Sequence, residues 1–202
     1  MHRSIHHVVR PLIVGLSIFG SSYLLAGCAT LSKQECRIGD WQAIGYNDGV
    51  AGYHSDRLAS HTKACAKASI APDYQAWERG RKLGLQQYCT VNNAYNIGRR
   101  GRPLNTVCPI AMAHTLQTAN QKGLDYYALD SQLDKETRLV DTYQAEFDKL
   151  ENGAMLDFAN EKEARARLLS LSDDIRSTKR RIQATRQQLD ALNQSNRFYE
   201  SL

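Results

Sequence analysis

The sequence predicts an all-α protein: a small disulfide-bonded helical domain followed by a long antiparallel helical hairpin of coiled-coil type. Three observations carry this. No run alternates apolar and polar residues with the period of two that a half-buried strand needs. Four cysteines, Cys36, Cys65, Cys89 and Cys108, all fall before residue 109. Beyond residue 124, apolar residues recur at alternating spacings of three and four, the heptad pattern of paired helices.

The first 27 residues stand apart. Arg3 and Arg10 are their only formal charges, Leu12 to Leu25 is mostly apolar, and small residues lead into Cys28. A basic start, a short apolar stretch and small residues at its end describe an export signal. The run is too short and too rich in Gly and Ser to favour a permanent membrane-spanning helix. Leu25-Ala26-Gly27-Cys28 resembles a bacterial lipobox. That resemblance implies cleavage before Cys28 and acylation of its thiol and new amino group. Each buried acyl methylene contributes about 0.8 kcal/mol, so several chains anchor firmly. Ala29, where retention in the inner membrane calls for Asp, points to the periplasmic face of the outer membrane. The expected organisation is therefore a signal peptide at 1–27, a lipid-anchored linker at 28–35, a disulfide-bonded helical domain at 36–124 and a hairpin at 125–202.

The mature chain carries 24 Lys+Arg, the 26 of the whole chain less Arg3 and Arg10, against 21 Asp+Glu. Its small net charge is unevenly placed. Residues 54–108 hold nine basic and three acidic residues, whereas 109–202 hold thirteen and fifteen.

Within the cysteine-bearing region four short helices are expected. Asp40 can cap one carrying Trp41, Ile44 and Tyr46; Ser55 or Asp56 a second through His61 and Cys65; Asp73 a third through Trp77 and Tyr88; and Thr90 a fourth through Tyr95 and Ile97. These residue types fit because their side-chain oxygens accept the unpaired first-turn amides. Gly101 and Pro103 then end the pattern. Asp40-Trp41-Gln42-Ala43 and Asp73-Tyr74-Gln75-Ala76 look like one motif used twice, 33 residues apart, as a duplicated helical hairpin would show. Spaced glycines follow each copy. A helical glycine costs about 1 kcal/mol against alanine, so these point to close helix approach, bends or helix ends. No phosphate-binding loop pattern accompanies them.

An exported chain meets an oxidising compartment, and four cysteines beyond Cys28 suggest two disulfides. Three connectivities are possible. If the first helix runs out from Cys36 and the second returns, Cys65 lands near the start; the fourth helix and the 102–107 loop bring Cys108 back to Cys89 in the same way. Each closure contributes roughly 3 kcal/mol in the chain-entropy picture. No Cys-x-x-Cys pair is present, so neither a zinc site nor any other metal or cofactor is expected.

Four stretches, "DWQAIGYNDGVAGY", "HTKACAKASIAPDYQAW", "RGRKLGLQQYCTVNNAYNIGRRG" and "NTVCP", resemble an uncharacterised family of bacterial lipoproteins catalogued as a domain of unknown function. The resemblance covers about residues 36–127 and lies in the cysteines, glycines and aromatics. It implies an exported, disulfide-bonded helical domain and no particular activity.

In the hairpin, one arm carries Leu129, Leu133, Glu136, Val140, Tyr143, Phe147 and Leu150 at heptad spacing. The other carries Leu168, Leu171, Ile175, Thr178, Ile182, Thr185, Leu189, Leu192, Asn196 and Tyr199. Gly153 and Asn160 bound the break between them. Residues 125–151 contain eight acids and three bases; residues 161–200 contain nine bases and six acids. Arms of opposite sign attract each other and repel copies of themselves, which favours pairing within one chain. A forty-residue arm spans about 60 Å.

Candidate functional residues are few. His54, Asp56, His61 and Cys65 have metal-like letters, but a disulfide claims Cys65. His114 stands alone on a helical pattern, where packing is its expected role. Asp40, Asp48 and Asp73 could serve as catalytic carboxylates, and Asp48, Asp73 and Glu78 converging on one cleft would favour an enzyme. Capping accounts for Asp40 and Asp73, and a turn before Gly49 for Asp48. No catalytic motif is present. Tyr46, Tyr53, Tyr74, Trp77, Tyr88 and Tyr95 are expected to form the core of the domain. Arg79, Arg81, Lys82, Arg99, Arg100 and Arg102 could meet anionic headgroups, lipopolysaccharide phosphates or an acidic protein face. The compartment holds no nucleic acid. Met155, Leu156 and Phe158, apolar residues in the connecting break, are candidates for contact with an envelope partner. The expected function is a non-catalytic interaction or scaffolding lipoprotein. The alternatives are an envelope hydrolase with an unrecognised carboxylate site and a binder of anionic lipid.

Overall fold

In the computed structural model, residues 30–154 and 157–200 are described. The expected signal segment and Cys28, and Met155 and Leu156, lie outside them. Among the described residues the fold is all-helical: α1 (Lys33–Ile38), α2 (Trp41–Val50), α3 (Arg57–Ala66), α4 (Tyr74–Tyr88), α5 (Val91–Arg99), α6 (Ile110–Glu151) and α7 (Glu161–Glu200). Cys36 is bonded to Cys65 and Cys89 to Cys108, with Cα atoms 5.5 and 5.6 Å apart. Three of the four expected caps form: the carboxylates of Asp40 and Asp73 and the hydroxyl of Thr90 each accept the backbone amide three residues on. Asp56 heads α3 without such a bond. The unexpected α1 carries a capping box. Ser32 Oγ accepts from the Glu35 amide at 3.2 Å, and Glu35 accepts from the Ser32 amide at 2.7 Å.

The domain is built from two pairs of parallel helices. In the first pair, α2 and α4 touch backbone to backbone. A methyl group on Gly49 would overlap the Arg81 carbonyl and the Leu85 amide; one on Gly84 would overlap the Tyr46 carbonyl and the Val50 amide. In the second pair, α5 and the start of α6 meet through Gly98 and Gly123. Gly98 faces the Asn120 carbonyl and Leu124 amide, and Gly123 faces the Tyr95 carbonyl and Arg99 amide. These are the same contacts. Gly98 lies 49 residues after Gly49, as Tyr95 does after Tyr46 and Arg99 after Val50. Gly123 lies 39 residues after Gly84, as Asn120 does after Arg81 and Leu124 after Leu85. The match extends past the crossing. Gly52 (φ 71°) sits under the Tyr88 ring and Gly101 (φ 72°) under the Tyr127 ring, both in left-handed turns that favour glycine. Arg81 donates to the Tyr53 carbonyl at 3.2 Å where Asn120 donates to the Arg102 carbonyl at 3.1 Å.

The domain is therefore duplicated, but not as the tetrapeptides suggest. Asp40-Trp41-Gln42-Ala43 and Asp73-Tyr74-Gln75-Ala76 open the two helices of one pair. The repeat reads Tyr-Asn-x-Gly-x-x-Gly in the first helix of each unit (46–52 and 95–101) and Gly-Leu-x-x-Tyr in the second (84–88 and 123–127). The offsets differ by ten, and α3, ten residues long, occupies the linker of unit one alone. One disulfide braces each unit: Cys36–Cys65 joins α1 to α3 in unit one, and Cys89–Cys108 joins the residues just before α5 and α6 in unit two. Unit one has its own core around Cys36, Trp41, Cys65 and Trp77, and unit two around Tyr95, Ile97 and Leu116, with Tyr88 from the end of α4 packed into it.

The expected boundary at 124/125 falls inside α6, which runs unbroken for 42 residues from unit two to the hairpin. The arms pack through the expected seam: Val140, Leu150, Leu171, Ile175, Ile182 and Leu189 are buried, as are Glu136, Thr178, Thr185 and Asn196. Glu136 is satisfied by Gln132 at 3.2 Å, by the Thr185 hydroxyl at 3.1 Å and by Arg181 at 3.5 Å. Arg167 bridges to Glu146 at 2.7 Å, so the charge attraction between arms has named carriers. Those hydrogen bonds hold the Glu146 carboxyl below its ordinary value, against a smaller opposing effect of burial. A lowered folded-state pKa contributes stability above the unfolded value, and that contribution is lost as pH falls through the folded one. For a pair this solvated the gain is at most about 1 kcal/mol. Glu146→Gln should therefore lower the urea midpoint at neutral pH and leave it unchanged in strong acid.

α7 ends back on unit two. The Tyr199 ring stacks on Tyr95 at 5.5 Å, and Asn92 Nδ2 donates to the Tyr199 carbonyl at 2.9 Å. Tyr199→Ala should cost about 2 kcal/mol and raise amide exchange in the last turns of α7 without disturbing unit one.

Candidate functional site

The largest buried polar cluster described is in unit one, where α2, α3, α4 and the segment before α1 meet. Asp48 stands on α2 beside the crossing glycine Gly49 and is buried. Its Oδ2 accepts from Trp77 Nε1 at 2.8 Å and pairs with His61 Nε2 at 2.7 Å; Arg57 Nε lies 3.6 Å from Oδ1. The Arg57 guanidinium covers the Tyr53 ring at 4.2 Å. His61, fully buried on α3, turns its Nδ1 to the Thr30 hydroxyl at 2.8 Å. In the tautomer whose Nε2–H donates to the carboxylate, Nδ1 is free to accept from Thr30, the arrangement of a hydroxyl–imidazole–carboxylate relay.

The second unit is an internal control for this cluster. The counterparts of Asp48 and Trp77 are Ile97 and Leu116, both buried and both apolar. A glycine crossing of this kind therefore packs without polar groups. What unit one has in addition is α3 and the segment at Thr30, and the cluster ties both to the helix pair.

The expected carboxylates do not converge. Asp40 and Asp73 cap helices, and Glu78 binds Arg81 through two hydrogen bonds of 2.8 and 3.0 Å. Of the six basic residues, Arg81 serves packing, held by Glu78 and the Tyr53 carbonyl. Arg99 covers the Tyr126 ring at 4.0 Å. Arg79, Lys82, Arg100 and Arg102 are exposed. Among the described residues no three His, Cys, Asp or Glu side chains are grouped to hold a metal ion. Phe158 packs against the hairpin core of Leu150, Ala164 and Leu171 rather than standing free. The aromatic set divides: Trp77, Tyr88 and Tyr95 are core, but Tyr46, Tyr53 and Tyr74 are exposed, because α2 and α4 meet through glycines and need no aromatic filling on their outer sides.

Residues 40–125 match the model of a family described as protein of unknown function (DUF2799). The matched span opens at the cap of α2 and closes two residues past Gly123, so it coincides with the two glycine crossings and leaves α1 and most of the hairpin outside. The matched span is thus the duplicated helix-pair unit, with the Asp48 cluster inside it. No curated protein and no solved structure matches the chain.

The Thr30–His61 contact was not legible in sequence, since 31 residues separate the partners. Asp48 was misread because the following glycine suggested a turn. The signal that could have corrected this was Gly45-x-x-x-Gly49, a small-residue helix face opposite Gly80-x-x-x-Gly84.

Proposed function

We propose that the protein is a bacterial envelope lipoprotein with a non-catalytic interaction or scaffolding role. It is anchored through Cys28 at the periplasmic face of the outer membrane, and its coiled-coil hairpin is held away from the anchor. One observation carries this reading. α6 is a single helix that begins at the Cys89–Cys108 bridge and continues to the hairpin turn, so the domain and the arm move as one lever. At 1.5 Å per residue it reaches about 60 Å. Disulfides and backbone-to-backbone crossings stiffen the base, which suits a spacer that must place a contact at a fixed height.

Removing one heptad from each arm, residues 137–143 and 174–180, tests this. The seam stays in register, and the hairpin shortens by about 10 Å. The expected result is a folded, disulfide-bonded, membrane-associated protein that loses its crosslinks to an envelope partner. Unchanged crosslinks would contradict the spacer role. Cys28→Ser should leave unacylated precursor; a mature Cys28 found without acyl chains would contradict the anchor.

A second reading, an envelope hydrolase, is favoured by the Thr30–His61–Asp48 relay, whose order is that of nucleophile, base and orienting carboxylate. A fluorophosphonate probe that labels the chain and fails to label Thr30→Val would support it.

A further inference from the structure

The two units agree at their crossings and differ in what covers their outer side. In unit two Tyr95 is fully buried: Tyr199 stacks on it, and Asn92 holds the Tyr199 carbonyl. In unit one the counterpart, Tyr46, is 41% exposed. Beside it lies a hollow of about 430 Å³ whose lining includes Ala43, Tyr46, Asn47, Gly80 and Leu83. In unit two the counterparts of Ala43 and Tyr46 are Asn92 and Tyr95, which hold the end of α7, and the counterpart of Asn47 is Asn96, which donates to Asn92.

We propose that this hollow docks the C-terminal turn of a helix from a partner protein, with an aromatic side chain in that turn. The proposal rests on the interaction reading above and names one of its surfaces. Unit two shows what such a face accepts: an aromatic ring laid on the tyrosine and an open helix-end carbonyl held by an asparagine. The chain's own α7 end is already engaged on Tyr95, so the occupant of unit one comes from elsewhere. Differences between the units describe that occupant. Leu83, exposed on the rim, replaces Lys122, so the rim of unit one asks for an apolar flank. Ala43 replaces Asn92, which leaves the amide of Asn47, exposed on the rim, as the donor for the carbonyl. Arg79, exposed one turn before Leu83, replaces Thr118 and favours the negative end of a helix dipole. Asp40, also on the rim, is committed to capping α2.

The probe is a helix-stapled peptide of residues 187–202 of this chain, which ends in the aromatic turn that unit two binds. Its binding to the full mature chain is read by fluorescence anisotropy. Saturable binding is expected, weakened at least about tenfold by Leu83→Glu in the protein or Tyr199→Ala in the peptide, and unaffected by Asn92→Ala in the protein. Leu83 is exposed, so its variant is expected to keep the fold, which circular dichroism checks. No saturable binding, or binding indifferent to Leu83→Glu, overturns the proposal. So does binding lost with Asn92→Ala, which would mean the peptide only displaces α7. Self-association of the chain abolished by Leu83→Glu also overturns it, by making the occupant a second copy. In cells, a photocrosslinker at Leu83 is compared with one at Leu169 on the hairpin. Adducts at Leu83 support the docking site; adducts at Leu169 alone overturn it and leave the interaction reading standing; none at either position removes both.

Discussion

Gly84→Val destabilises the domain by about 4 kcal/mol or more, enough to unfold a protein of ordinary stability. The added Cβ alone overlaps the carbonyl of Tyr46 and closes on the backbone amide of Val50 and the Cα of Gly49. Main chain cannot swing aside as a side chain does, so α2 and α4 must separate along their whole contact. Gly123→Val breaks the second unit in the same way, against the Tyr95 carbonyl and the Arg99 amide. Gly153→Val, in the hairpin turn, provides the contrast. Among the described residues nothing lies within 4 Å of its Cβ position, and the cost there is that of the left-handed backbone at φ 84°. That strain amounts to about 1–2 kcal/mol. Urea unfolding of the three variants, with cysteines oxidised, separates a clash from a strained turn.

The second large effect is at Asp48. Asp48→Ala should cost about 3–5 kcal/mol, because it strands the buried Trp77 indole N–H, the His61 ring and the neighbouring Arg57 together. Asp48→Leu combined with His61→Leu removes both members of the pair and should cost less than Asp48→Ala alone. Unit two anticipates that outcome, since it holds Ile97 and Leu116 at the matching sites. A double variant less stable than the single one would contradict the internal control. Removing His61 also releases Thr30, so limited proteolysis should cut the segment before α1 faster in the double variant even where stability recovers.

The fold class was legible because it depends on local signals. Heptad spacing marked both arms, and the buried set Leu171, Ile175, Thr178, Ile182, Thr185, Leu189 and Asn196 is the seam the spacing named. Asp40, Asp73 and Thr90 marked helix starts, because a capping side chain acts on amides only three residues away. The six-residue α1 escaped despite its Ser32-x-x-Glu35 signature, since so short a helix shows no periodicity. The duplication was masked by α3, which shifts the two halves of unit one by different amounts relative to unit two. The Asp48 cluster was beyond reach because its five residues come from four separate segments, and only the glycine crossing that brings α2 against α4 puts Asp48 beside Trp77. The basic residues misled for a related reason. Sequence shows charge but not engagement, and Arg81 and Arg99 are spent on a carbonyl, a carboxylate and aromatic faces.

The claim that the protein works by contact rather than catalysis is tested most directly by photocrosslinking in intact cells. A photoreactive residue is placed at Leu169, which is 75% exposed on α7. The account predicts a discrete adduct with one envelope protein, retained in Thr30→Val and lost when Cys28→Ser removes the anchor. No adduct from Leu169, together with fluorophosphonate labelling that disappears in Thr30→Val, would contradict it.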